Sequence, residues 1–121
     1  MISTVIPIHG TFDIAKGRNA LRTHIAANSW PTHFTVRASA LLTALGDLIL
    51  MSEHGHGVIV RADIVVDGGE PGIRLVCDLE LNQVDANRLD HCKSRLNRAS
   101  DQLQLSSSGS YTNVDAFLRV E

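Results

Sequence analysis

Residues 58–81, VIVRADIVVDGGEPGIRLVCDLEL, alternate twice and break once. Val58, Val60, Ala62, Ile64 and Val66 fall on one side of an extended chain, with Ile59, Arg61, Asp63 and Val65 on the other. After Asp67-Gly68-Gly69-Glu70-Pro71-Gly72, Ile73, Leu75, Cys77, Leu79 and Leu81 point one way and Arg74, Val76, Asp78 and Glu80 the other. Side chains of a strand alternate with period two, so each run predicts a strand with one core-facing side. The connection has hairpin composition but exceeds a two-residue turn, which predicts an antiparallel pair.

Upstream the period changes. Val36, Ala40, Ala44 and Leu48 form a helical stripe that Leu41, Leu42, Leu45 and Ile49 widen to most of the circumference, predicting a helix over residues 35–52. Asp47 is the exception on it. A second amphipathic helix is expected over residues 12–28, with Ile14, Leu21 and Ile25 inward and Thr11 or Asp13 as its cap. Asn28-Ser29-Trp30-Pro31-Thr32 breaks the chain between them, and Thr32 or Thr35 would cap the long helix. Ile2 to His9 reads as an edge strand, because Pro7 cannot donate to a ladder. Downstream, Ala86, Leu89, Cys92, Leu96 and Ala99 mark a helix over residues 85–99. A short strand over residues 102–106, a Ser-Gly turn over residues 106–110 and a closing strand from Thr112 to Val120 follow. The order β-α-α-β-β-α-β-β predicts an α/β (α+β) two-layer sandwich, a mostly antiparallel sheet with helices on one face, as one domain over residues 1–121.

The 121 residues carry 44% hydrophobic and 20% charged side chains, which excludes a disordered chain. Eleven basic against thirteen acidic residues leave a net charge of −2, so no general attraction to nucleic acid is expected. Met1 to Pro7 lacks the basic head and apolar stretch of a secretion signal. The apolar run Ala38 to Met51 is broken by Ser39, Thr43 and Asp47 and reads as too short and too polar for a membrane span. A cytoplasmic protein follows, with Cys77 and Cys92 as free, buried thiols.

Three stretches, DIAKGRNALRTHIAANSW (13–30), VRASALLTALGDLILMSEHGHG (36–57) and SRLNRASDQLQLSSSGSYTNVDAF (94–117), in this order and spacing, resemble the small anti-sigma-factor serine kinases of the histidine-kinase-like (GHKL, Bergerat) ATPase superfamily. The resemblance implies a Glu on the long helix, an Mg²⁺-holding Asn four residues on, an adenine-reading Asp with glycines after the central strand, and a terminal Gly-Thr. In this sequence those places fall on Asp47, Met51, Leu79 (or Asp78 with a one-residue slip), Tyr111 and Thr112. A thioether cannot serve a hard cation that demands oxygen ligands. No glycine lies between Ile73 and Ser108, where backbone would have to approach phosphates, and residues 82–100 leave no room for a lid. The resemblance therefore implies a pseudo-ATPase with no catalytic residue, metal or cofactor. Asp47, Met51, Asp78, Glu80 and Thr112 would be remnants of its nucleotide pocket.

Asp47 serves either as a remnant acid or as the partner of an arginine. His54 and His56 form a His-x-His pair without a third ligand nearby in sequence, so an exposed turn is the simpler reading. Arg88, His91, Arg95 and Arg98, at i, i+3, i+7 and i+10, line one face of a helix, either as a solvated face or as a basic strip for an acidic protein. The expected function is a non-catalytic regulator that acts by protein–protein interaction in bacterial signalling. Its partner would be a sigma factor or an anti-anti-sigma-like protein. A homodimer is also expected, through the apolar girdle around Leu41 and Leu45 and through the strand Ile2 to His9. Two alternatives stand beside it. One is a divergent serine kinase using Asp47, Asp78 and Thr112, with Mg²⁺ on Glu53 or Glu80; the other is a module holding a small ligand in the emptied pocket.

Overall fold

The computed structural model describes residues 2–52, 57–65, 70–82 and 84–120. The elements are β1 (Ile2–Ile8), α1 (Thr11–Ala27), α2 (Thr32–Met51), β2 (Val58–Val65), β3 (Gly72–Leu79), α3 (Ala86–Ala99), β4 (Gln102–Ser108) and β5 (Tyr111–Arg119). Their order is the one the alternations predict. All strand pairs are antiparallel, and the sheet runs β1-β2-β3-β5-β4. β1 is an edge, with Pro7 opposite Ile59. β5 inserts between β3 and β4, so α3 carries the chain across to the far edge and the last hairpin turns back inward. Gly109, at φ +62°, takes the first place of the two-residue turn between Ser108 and Tyr111, a position where a side chain would be strained.

The core lies between the sheet and the helical layer. Ile8, Val60, Ala62, Ile64, Ile73, Leu75, Val114 and Ala116 bury the inner face of the sheet completely. Against them lie Leu21 and Ile25 of α1, Leu41, Leu45, Leu48 and Ile49 of α2, and Leu96 of α3. α2 is the middle helix, touching α1 on one side and α3 on the other. Each Leu or Ile so buried contributes roughly 1.5–3 kcal/mol, which is why alternation in the strands and the α2 stripe decide the architecture.

The structure corrects several expectations. α2 starts at Thr32, and its N-cap position is Pro31 with no side-chain cap bond, so neither Thr32 nor Thr35 caps it. The N-cap of α1 is Gly10, while Asp13 accepts a hydrogen bond from the His9 backbone N–H at 2.7 Å. Val36 is 67% exposed and Ala40 is also exposed; the buried stripe runs instead through Phe34, Ala38, Leu41 and Leu45. Starting at Thr32 makes α2 a 20-residue helix, long and apolar enough by length and composition to cross a membrane. Burial between α1, α3 and the sheet, and not shortness, accounts for its apolar character. Leu41, Leu42 and Leu45 are fully buried within the chain, so these three side chains serve its own core and not a second copy. β4 continues to Ser108, beyond the expected Ser106.

Candidate functional site

The sheet divides the residues singled out in the sequence into two groups. Asp47 and Met51, one turn apart on α2, face the helix seam. There they line a cleft of about 520 Å³ with Leu50 and with Asn87, Arg88, His91, Cys92 and Arg95 of α3. α3 begins at its N-cap Asp85, whose side chain accepts from the Asn87 N–H at 3.4 Å, and is anchored by buried Cys92 and Leu96. That anchoring leaves Arg88, His91 and Arg95 on the side toward the end of α2. Arg95 Nη1 donates to Asp47 Oδ2 at 2.8 Å, tying the two helices together across the cleft. The Asp47 and Arg95 side chains are 41% and 38% exposed, so water screens the pair and its net worth is about 0.2–1 kcal/mol. Arg98, on the same strip, does not line the cleft.

Asp78 and Glu80 lie elsewhere. Asp78 alternates with buried Cys77 and Leu79 and therefore emerges on the sheet face that carries no helix. With Glu80, Ser52, Val58, Ile59 and Tyr111 it lines a separate cleft of about 320 Å³. Asn113 Nδ2 donates to Asp78 Oδ1 at 2.9 Å. A hydrogen bond with Glu80, and the charge of that carboxylate, push the Tyr111 phenol above its ordinary value. Thr112 sits opposite Leu79 and Ser107 and lines neither cleft. Of the five residues expected as remnants of one pocket, Asp47 and Met51 line one cleft, Asp78 and Glu80 another, and Thr112 neither. Glu53, His54 and His56 lie outside the described residues.

Burial, reinforced by neighbouring Asp78, pushes the Cys77 thiol up to about 12, so it stays protonated and inert at neutral pH. Sequence reasoning missed the polar order on the open face. Asp63, buried to 4% exposure, accepts from Ser3 Oγ at 2.7 Å and from Arg61 Nε at 3.2 Å. Arg74 pairs with Asp115 at 2.7 Å and lies over the Phe117 ring. The signal was present: alternation puts Arg61, Asp63 and Arg74 on one face, and opposite charges on neighbouring strands pair.

No family model and no curated protein matches this sequence. A solved structure does. The fold is shared with a chain of the SiaB-SiaC complex from Pseudomonas aeruginosa. The two superpose with a TM-score of 0.63 at 12% identity, over 98% of this chain and 90% of that one. At that identity the likeness is one of fold, and it covers every element from β1 to β5. The relative so found is part of a two-protein complex.

Proposed function

We propose that this chain is a non-catalytic regulator, a pseudo-ATPase that works by binding another protein in bacterial signalling, in the cytoplasm. The observation that carries the reading is the Asp47–Arg95 pair. In the histidine-kinase-like ATPases that the sequence resembles, the acid at this place must be free to act on a nucleophile. Here its carboxylate is held by a guanidinium at 2.8 Å. The next turn of α2 presents Met51, a soft sulfur where Mg²⁺ would need oxygen. Asp78 and Glu80 line a separate cleft, which supports the same reading. The fold likeness to a chain of a two-protein complex supports action through a partner, of the sigma-factor or anti-anti-sigma kind that the resemblance implies. β1, an uncovered edge strand with exposed Val5, supports pairing with a second copy.

The deciding experiment is isothermal titration with ATP and ADP, each with Mg²⁺, paired with a thermal-shift scan. Binding to the folded state raises Tm by mass action. The expected outcome is no heat and no shift at millimolar nucleotide. Saturable Mg²⁺-dependent binding, weakened in Asp47→Ala, would return the chain to the kinases.

A further inference from the structure

We infer that the groove between α2 and α3 is the seat of an acidic amphipathic helix from a protein partner. The inference rests on the regulatory reading and names the chemistry of the partner. The floor of the groove is apolar, made by Leu50, Met51 and Cys92, and Leu50 is left 38% exposed at its mouth. Its α3 wall carries two guanidinium cations, Arg88 and Arg95, with His91 between them, and Asp47 faces them from α2. Among the described residues Arg88 and His91 have no hydrogen-bond or ion-pair partner, and Arg95 spends one nitrogen on Asp47. α3 holds four of the chain's eleven basic residues (Arg88, Lys93, Arg95 and Arg98) against the single acid Asp90, in a protein whose net charge is −2. The cations are therefore concentrated on this helix against the sign of the whole molecule.

Charge and apolar surface together select the occupant. A small inorganic anion would leave the floor unused. Single-stranded nucleic acid would need broad aromatic platforms for successive bases, and no Phe, Tyr or Trp lines the groove. A groove between two helices, apolar below and charged along one rim, suits a helix laid along it. Arg88 and Arg95 are seven residues apart on α3, about 10.5 Å along its axis at 1.5 Å per residue. Two carboxylates seven residues apart on the incoming helix match that spacing. A Leu, Ile, Met or Phe three or four positions after the first would point down to Met51 and Cys92. Arg95 places one nitrogen on Asp47 and keeps further N–H groups that a second carboxylate can accept from.

The test pans a displayed library of helical peptides against the intact protein. The enriched sequence is then synthesised with a fluorescein label and titrated by anisotropy. The expected consensus has acids seven apart with an apolar residue between them. Arg88→Glu, at an exposed and unpaired position, should keep Tm and weaken binding about tenfold or more, and Arg95→Gln should weaken it as well. Binding should fall steeply with added salt, and backbone NMR shifts should fall on α3 and the C-terminal half of α2. Enriched peptides without acids, binding untouched by Arg88→Glu, or shifts confined to β1 or the open sheet face would overturn the inference. So would a preference for a single-stranded oligonucleotide over every enriched peptide, or self-association lost in Arg88→Glu with no peptide enriched. Any of these with a silent nucleotide titration removes the groove alone, whereas Mg²⁺-dependent nucleotide binding removes the regulatory reading beneath it.

Discussion

Gly46 faces α1, one residue before Asp47, and replacing it with Ala asks whether α1 and α2 truly meet backbone to side chain. A Cβ built on Gly46 would lie 2.5 Å from Ile14 Cδ1 and 2.8 Å from Ile14 Cγ1. Comfortable carbon contacts are about 3.5–4.0 Å, so two atoms overlap by roughly 1 Å. Ile14 is itself buried and has no solvent to swing into. Two effects oppose each other. Ala gains about 1 kcal/mol over Gly in a helix interior. Overpacking a tight core costs about 1–3 kcal/mol. Overlap of this depth against a trapped side chain should win, for a net loss of about 1–2 kcal/mol and a Tm lower by about 4 °C per kcal/mol. Urea melts followed by circular dichroism would read it as a lower midpoint at unchanged m. Ile14→Val removes Cδ1, the nearest atom, and alone should cost about 0.5–1.5 kcal/mol. Combined with Gly46→Ala it should recover at least about 0.5 kcal/mol relative to the sum of the single changes. A Gly46→Ala protein about 1 kcal/mol more stable than the parent, as for an exposed helical glycine, would refute the packing. Strict additivity with Ile14→Val would do the same.

A double-mutant cycle with Asp47→Ala and Arg95→Ala should return a coupling of about 0.2–1 kcal/mol that shrinks in salt, because the pair is more than a third exposed; a coupling several times larger would mean the pair is desolvated. Leu45→Asp should abolish the cooperative transition, losing roughly 4 kcal/mol or more, while Val36→Asp on the exposed side should stay within about 0.5 kcal/mol. A dimeric parent that Leu45→Asp converts to a folded monomer would restore the girdle as an intersubunit face. Cys77 is raised from 9.0 to about 12 in the fold, so the unfolded chain releases this proton first as pH rises. Its stabilisation is whole below pH 9 and drains away between about 9 and 12, with a slope approaching 1.36 kcal/mol per pH unit. Alkaline urea titrations should therefore fall less steeply for Cys77→Ala than for the parent, and equal slopes would contradict the burial.

The strands were legible because apolar side chains are concentrated on one face, so Val60-Ala62-Ile64 and Ile73-Leu75-Cys77 alternate with residues such as Arg61, Asp63 and Arg74. The long helix was legible as a helix but not in its role. An apolar circumference fits a helix wedged between neighbours as well as one waiting for a partner, and only the placement of α1 and α3 decides between them. The caps were misread because Ser, Thr and Asp near a helix start are propensities. At Gly10 and Pro31 the chain enters its helices without a side-chain cap bond. In the site, Asp47 and Arg95 were each conspicuous in the sequence, yet nothing in a one-dimensional pattern joins residues 48 positions apart. Asp78 was legible as an outward residue from the parity of its alternation with buried Cys77 and Leu79, whereas its place beside Glu80 and Tyr111 depends on strand pairing that no local pattern carries.

The same parity bears on what became of the interval between β3 and β4. Where the resemblance implies glycines and a lid, this chain has α3, nailed to α2 by Cys92 and Leu96. A lid must open to admit its ligand, and glycines must let backbone close on phosphate. A helix with two buried anchors does neither, and it sets Arg88 and Arg95 beside the cleft. Asp47, which an open pocket would leave to solvent or to a ligand, then meets Arg95 and becomes a strut between helices. On the proposed reading, the segment that would serve phosphate chemistry and the segment that would serve recognition are the same one, α3 beside Leu50 and Met51. Rigid presentation lowers the ordering cost of binding an acidic partner. It also makes the reasoning vulnerable at one point. Substitution of Leu96 by Ala would loosen α3, so affinity for the enriched acidic peptide should fall. Peptide binding that survives Leu96→Ala unchanged, in a protein whose α3 amides have lost their hydrogen-exchange protection, would show that the wall need not be rigid.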